Sequence, residues 1–370
     1  MAFSIDVSRL NDPRLREIGR GLELGQRLGR DEALVLCETT DIPGLGLLAD
    51  RANLALNGER VCYINNAHIN YTNICVNRCR FCAYRRAGAE SPGAFSLSPD
   101  EVLEKARTLW SGRVREFHIV GGCHPDAPLE YYVRMLELLR REYPGVCLQA
   151  FTAVEVEHIA RKAGLSVAET LTELKRAGLD SLPGGGGEIF NPEVRSKICP
   201  EKISGEQYLE VMRQAHGLGI PTNVTMLFGH IESRADRVDH MLAIRELQDQ
   251  TGGFNSFIPL VFHPQNTEYP ELSKTGAVDI LRTIAIARLL LDNVKHIKAF
   301  WIMLGLPLTQ VALFFGADDV NGTVIEERIT HDAGAETPQH LKERELVRII
   351  REAGRQPFER DTLYNAVETV

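Results

Sequence analysis

From residue 60 onward, short apolar runs alternate with amphipathic helical stripes, and this alternation restricts the folds open to the chain. The runs fall at 61–64, 117–120, 146–151, 179–182, 222–228, 256–260, 297–302 and, weakly, 313–317. Val102, Leu103, Ala106 and Leu109 share one face of 101–110, and Tyr132, Leu136 and Leu139 share one face of 131–143. Further helical patterns occupy 154–163, 167–177, 206–218, 235–249 and 278–292. Strands joined through helices run parallel, because a parallel pair needs a long crossover and a helix supplies it. Eight such runs predict an α/β fold, a (βα)8 TIM-type barrel; a partial (βα)6 barrel is the alternative, since the last two runs are the least regular. Leu15, Ile18, Leu22 and Leu28 recur near helical spacing and predict an N-terminal helical cap. The expected organisation is a helical extension over 1–57, the barrel over 58–335 and a helical segment over 336–370 packed on the barrel.

The 370 residues are enough for one barrel with a large core, and the formal net charge of -8 argues against general affinity for nucleic acid. The first residues lack a basic stretch followed by an apolar one, and no later run is long and apolar enough to span a bilayer. A cytoplasmic protein is the expectation. Of eight cysteines, those at 37, 62, 123, 147 and 199 are expected to be inert thiols in a reducing compartment.

The other three cluster as Cys75-Val-Asn-Arg-Cys79-Arg-Phe81-Cys82. Spacings of four and three residues let one loop wrap three thiolates around a metal centre. Three ligands are one too few for a closed zinc site and suit a [4Fe–4S] cluster with one open iron. Eleven histidines leave a zinc site with a remote fourth ligand open. Arg78, Arg80, Arg85 and Arg86 flank the loop and suit either solvation or docking of an acidic electron carrier.

On a barrel, chemistry sits in the loops after the strands. There the chain places Gly121-Gly122-Cys123, the run Pro183-Gly-Gly-Gly-Gly-Glu188, and Gly229-His230-Ile-Glu232. Four consecutive glycines are costly in backbone entropy and no Lys-Ser/Thr follows, so the run is not a Walker loop. The segment 118–123 also falls at this mouth, and candidate substrate-side segments are Phe262-His263-Pro-Gln-Asn-Thr267 and Asp318–Thr323, the last beginning with Asp318 and Asp319, with His68, Asn70, Asn73 and His331 and with Trp301 in the seventh strand.

The cysteine loop, with Phe81 between its last two cysteines and a strand before it, resembles the signature of the radical S-adenosylmethionine superfamily. Asn70-Tyr-Thr-Asn73, the glycine run, Thr225-Met226-Leu-Phe-Gly-His-Ile-Glu232 and Gly316-Ala-Asp-Asp319 resemble its futalosine-pathway and deazaflavin-precursor branch. The segments 257–266 and 322–331 are similar to the aminodeoxyfutalosine synthase family of menaquinone biosynthesis. The resemblance runs over about 40–365.

It implies a [4Fe–4S] cluster on Cys75, Cys79 and Cys82, and S-adenosylmethionine consumed as co-substrate. It also implies S-adenosylmethionine contacts from Phe81, Gly121, Gly122, Glu188, Arg195, Met226 and Glu232, with Arg195 on the methionine carboxylate. The superfamily's Gly-Gly-Glu motif has Cys123 at its acidic position here, which leaves this motif without its carboxylate acceptor. The implied reaction adds a 5′-deoxyadenosyl radical to 3-[(1-carboxyvinyl)oxy]benzoate, a dicarboxylate aromatic enol ether. Rearrangement and decarboxylation then give 6-amino-6-deoxyfutalosine. His68, His230, His263 and His331 are the candidate catalytic or substrate-binding groups, and a flavodoxin or ferredoxin the implied electron donor. Rival readings are dehypoxanthine futalosine cyclase, a deazaflavin-precursor synthase, and a non-enzymatic iron–sulfur carrier or zinc module. A carrier needs neither the glycine run nor a barrel.

Overall fold

The computed structural model describes residues 4–367. The strands are β1 (Arg60–Ile64), β2 (Asn66–Asn70), β3 (Glu116–Val120), β4 (Cys147–Ala150), β5 (Thr222–Phe228), β6 (Phe254–Val261), β7 (His296–Ile297), β8 (Asp319–Gly322) and β9 (Gln356–Glu359). They form three parallel sheets ordered β2-β3-β4, β5-β6-β7 and β8-β1-β9. Single parallel bridges join the sheets: Gln149 to Ser181 and Leu182 to Thr222, Lys298 to Asp319, and Ala67 to Ile325. With helices packed outside, this is an α/β core of the TIM type.

The legible strands are those buried on both faces. Every residue of β5 is buried, because lumen contents cover one side and helices the other; its polar residues Asn223 and Thr225 face the cavity and its apolar ones, Val224, Met226 and Phe228, pack on the other side. Helices start on local signals. Ser98 with Glu101, Thr152 with Glu155 and Ser204 with Gln207 each form a reciprocal capping box, and losing such a cap costs about 1 kcal/mol.

Several expectations are corrected. The run at 179–182 makes only the single bridges at Ser181 and Leu182. The run at 297–302 is a two-residue strand, because Trp301 turns into a short helix, Trp301–Leu304, and its indole donates to the Gly322 carbonyl (2.8 Å). The run at 313–317 is not a strand: it follows the helix Leu306–Ala312 and turns at Gly316, and β8 begins at Asp319. Two strands lacked an apolar signal. β2 carries Asn66, His68 and Asn70 on one parity, and β9 is only part-buried. The cysteine loop therefore follows β2, not the run at 61–64. The segment after 335 is not purely helical either, since the helix Glu343–Glu352 leads into β9, which pairs with β1 from Arg60–Gln356 to Tyr63–Glu359.

The helices Pro13–Glu23, Arg30–Glu38 and Ile42–Asn57 lie along the barrel's flank, mainly against Arg234–Thr251 and Ala277–Leu290. Covered this way, Ala277–Leu290 is buried continuously from Ile280 to Leu290, and Arg282 donates to the carbonyls of Leu36 and Thr39. The extension thus covers outer helices. It contributes no wall to the cavity, whose lining begins at His68.

Asp318 and Asp319, candidates for the substrate side, are spent on structure. Asp318 accepts from Arg288 (2.6 Å) and the Ile297 amide (2.8 Å) and pairs with His296. Asp319 accepts from Arg360 (2.7 Å) and the Tyr364 hydroxyl (2.7 Å). Cys62, His296 and Asp318 bring ligand atoms within 4.8 Å of one another, but Arg288 already neutralises that carboxylate. Among the described residues, no helix is long and apolar enough to cross a membrane.

Candidate active site

A cavity of about 320 Å³ runs from the lumen to the loops after the strands, within the size range of small-molecule sites. At its mouth Cys75, Cys79 and Cys82 all contribute to the wall. The loop that carries them is zippered to the turn after β3. Gly122 N donates to Thr72 O (2.9 Å), Val76 N to Cys123 O (3.0 Å) and Cys123 N to Cys75 Sγ (3.3 Å). The Asn73 side chain bonds Gly93 O and Phe95 N (both 2.9 Å), and Arg86 spends its guanidinium on the carbonyls of Ala83, Tyr84, Arg85 and Pro92. Asn73 and Arg86 therefore fold the loop.

The thiol chemistry fits a multinuclear metal group. The Cys123 thiol beside Cys75 brings it down to about 6, whereas burial pushes Cys79 and Cys82 up. Three thiolates persist in so buried a place only around a cation, and amide-to-sulfur bonds such as that from Cys123 are a known lever on iron–sulfur centres. Lys202, which sequence reasoning missed, adds positive charge: its ammonium lies 5.1 Å from the Phe81 ring centre and pairs with Glu188.

The glycine run forms the next wall. Gly184 has φ +90°, and a Cβ there would sit 2.4 Å from Asn223 O, so only glycine lets this turn lie against β5. Pro183, Gly185, Gly186 and Glu188 line the cavity. Arg195 does not. Its fork donates to the carbonyls of Gly187 (2.7 Å), Ile189 (3.3 Å), Gly186 (3.4 Å) and Ile203 (2.6 Å), so it props the turn from behind and has no free fork for a ligand carboxylate.

Gly121 and Gly122 line the cavity as expected. The carboxylate missing from their motif comes from elsewhere: Glu155 accepts from Gly121 N (3.0 Å), Tyr71 OH (2.6 Å) and Thr152 N (2.8 Å), and lines the cavity although burial raises its pKa. In sequence Glu155 reads as half of a capping box, which it also is. On β5 the wall is formed by Asn223, Thr225 and Leu227; Met226, of opposite parity, is buried and absent from the wall.

The four expected histidines divide. His68 and His263 line the cavity, His263 Nε2 lying 3.2 Å from Met303 O. His230 is turned inward, its ring nitrogens on Leu227 O (3.1 Å) and Glu232 (3.0 Å). Glu232 is outside the wall too. Burial opposes its charge, but His230, Arg237 and the Gly229 and His230 amides bring it down to about 2. His331 bridges Glu327 (2.9 Å) and Thr337 O (2.8 Å) and is raised to about 9 by Glu327, which itself lines the cavity. Sequence reasoning also missed Gln149 and Lys298, whereas His118 and Asn321 fall in the segments 118–123 and 318–323 that it placed at the mouth. The parity of β3 and β4 would have found Gln149, since His118 and Gln149 share a register across the sheet.

A TIM-type core whose mouth carries Cys-x3-Cys-x-Phe-Cys, faced by glycine turns, defines the class of radical S-adenosylmethionine proteins. Residues 69–244 match the model of the Radical SAM superfamily, and residues 251–370 that of the CofH/MqnC C-terminal region. The chain is 46% identical to the aminodeoxyfutalosine synthase of Thermus thermophilus, over 97% of each chain. It is 42% identical to a 5-amino-6-(D-ribitylamino)uracil–L-tyrosine 4-hydroxyphenyl transferase of Methanopyrus kandleri, over 86% of this chain and 88% of that one. Among solved structures, methylornithine synthase shares the fold, with a TM-score of 0.69 at 17% identity over 92% of this chain and 97% of that one. The chain is an enzyme of the radical SAM superfamily and belongs, within it, to the family that the aminodeoxyfutalosine synthases and these transferases share.

Proposed function

We propose that this enzyme joins the 5′-deoxyadenosyl group of S-adenosylmethionine to 3-[(1-carboxyvinyl)oxy]benzoate, with decarboxylation, to form 6-amino-6-deoxyfutalosine in menaquinone biosynthesis. One observation carries the reading: a single cavity has the three thiols at its mouth and, beneath them, a lumen lined by His68, His118 and Lys298, which offers donors to an anionic aromatic substrate. The 46% identical synthase over nearly the whole chain supports it.

Cys75, Cys79 and Cys82 would hold a [4Fe–4S] cluster and leave one iron open to S-adenosylmethionine. When bound, that pair supplies the 5′-deoxyadenosyl group as a carbon radical. The protein's part is to hold, orient and exclude water. Gly121 and Gly122, braced by Glu155, present backbone at the cluster, while Glu188 with Lys202 and the Phe81 ring form the opposite wall. Met226 contributes through its backbone only. Glu232 and Arg195 act as braces of their turns, and His230 and His331 likewise steady the rim. Exposed Arg78 and Arg80 flank buried Cys79 and suit docking of an acidic low-potential donor, a flavodoxin or ferredoxin.

The bridges between sheets are consistent with a closed (βα)8 barrel over 58–335 rather than a partial (βα)6 one, with 1–57 and 336–370 packed on its outside.

Anaerobic incubation of reconstituted enzyme with S-adenosylmethionine, reductant and the enol ether should give the adenosyl–substrate product by mass analysis. Free 5′-deoxyadenosine without incorporation points instead to hydrogen abstraction, as in dehypoxanthine futalosine cyclase. Turnover only with tyrosine and the ribitylaminouracil identifies the transferase reaction, the reading that the 42% identical relative favours.

Glu188→Gln should weaken S-adenosylmethionine binding about tenfold, the loss of one charge-assisted contact, with iron content unchanged. Titration by calorimetry checks it, and an unchanged affinity removes Glu188 from that site.

A further inference from the structure

Below the cluster loop, the lumen holds a cation with no ion-pair partner among the described residues. Lys298 follows β7, is 5% exposed and lines the cavity. The carboxylates that act on it are already engaged: Asp319 by Arg360 and Tyr364, Glu116 by Asn66 (3.2 Å) and Thr362 (2.8 Å). Among the described residues Lys298 makes no ion pair within 4.0 Å, and burial lowers its pKa to about 8.

Next to it stands a second unsatisfied group. His68 is 7% exposed and its Nε2 has no hydrogen-bond partner. Its ring stacks on His118, with centroids 4.3 Å apart, and His118 Nδ1 lies 3.1 Å from Gln149 Oε1. A buried ammonium and an orphaned imidazole nitrogen in one wall cost free energy unless an anion arrives to take both. Ile258 lies level with Lys298, and further toward the C-terminal ends of the strands the wall carries Leu260, Phe262, Phe300 and Met303. These apolar side chains lie between Lys298 and the strand ends that carry the cysteine loop, and form an apolar sleeve on that side of the cavity.

We propose that Lys298, with His68 beside it, binds the carboxylate of an aromatic acid whose ring fills the apolar sleeve and whose reacting end faces the cluster loop. The inference rests on the reaction proposed above and goes further, assigning the ring carboxylate of the enol ether to this subsite. Its enol carboxylate lies toward the mouth. A substrate anchored by its far end is held with the vinyl carbon toward the adenosyl group, which is positioning by binding rather than by any group at the reacting carbon.

The test compares the dicarboxylate with 2-phenoxyacrylate, which lacks only the ring carboxylate. Wild-type enzyme should prefer the dicarboxylate in kcat/KM by about 10- to 100-fold, as a charge-assisted contact to a buried group implies. In Lys298→Met, which keeps the volume, that preference should collapse toward unity, and Lys298→Arg should retain part of it. A preference in Lys298→Met equal to that of wild type overturns the subsite. So does a wild-type enzyme that does not discriminate, a measurement that stands even if the Met variant fails to fold. If wild-type enzyme forms no adenosyl adduct with the dicarboxylate, the proposed reaction falls and this assignment with it. If it forms the adduct without discrimination, only the assignment falls.

Discussion

Cys79→Ala should yield a folded protein with no iron–sulfur absorbance and no turnover. Cys79 is 6% exposed, lines the cavity and sits between the other two thiols in the loop. Its removal leaves two protein ligands, too few to hold four irons, and no adjacent residue replaces the sulfur. Cys123 spends its amide on Cys75; the Cys75 sulfur beside it, with burial, pushes its thiol up, and burial does the same to Cys199, so neither offers a ready thiolate. The fold should survive, since the loop's anchors at Asn73, Arg86 and Gly122 are untouched. Iron per chain, visible absorbance and product formation after anaerobic reconstitution measure the outcome. Cys199→Ala is the control and should keep all three. Turnover retained in Cys79→Ala would refute the ligand assignment.

Gly122→Ala should be nearly as damaging although it changes no ligand. A Cβ at residue 122 would meet Ile74 O at 2.3 Å and the Cβ of Cys75 at 2.9 Å. Those atoms are loop backbone and the first cysteine, so relief requires the loop to move away from the turn after β3. That movement breaks the bonds from Gly122 N to Thr72 O and from Cys123 N to Cys75 Sγ. Overpacking of this kind costs about 1–3 kcal/mol, small enough to leave the chain folded. The same displacement misplaces Cys75 relative to its partners, so cluster content and activity should fall at least about tenfold. Gly145→Ala has open space around its Cβ and should behave as wild type. Full cluster content and turnover in Gly122→Ala would show that the loop tolerates the displacement.

The parts of this protein legible in sequence are those whose signal is local. Doubly buried β5 is legible from Val224 and the apolar stretch Met226–Phe228, and the helix at 99–109 announces itself through Ser98, Glu101 and its buried stripe. β2 escaped because one parity carries Asn66, His68 and Asn70, of which His68 lines the cavity while Asn66 bonds Glu116 and Asn70, expected on the substrate side, donates to the Val120 carbonyl instead: buried polar groups erase the apolar pattern by which strands are found. The run at 313–317 misled for the opposite reason, since Leu313 and Ala317 are buried in a helix end and turn rather than a ladder. The family resemblance implies a ligand-carboxylate contact for Arg195. Its five donors found carbonyls of the glycine run instead, which is what a buried guanidinium does when a turn offers acceptors.

What the sequence by itself determined is the loop from Cys75 to Cys82, because three thiols four and three residues apart are held together by covalent connectivity. The glycine run is similar, since its backbone freedom travels with the residues. What only the tertiary structure decided is the lumen. His68, His118, Gln149 and Lys298 come from four strands and meet because parallel registers put them on the inner parity. A one-residue shift would turn each outward. The same closure uses up Asp318, Asp319 and Arg360 in ion pairs and leaves Lys298 without one. Which charges are spent on folding and which remain for a substrate is a property of the assembled barrel, because it depends on partners far apart in the chain.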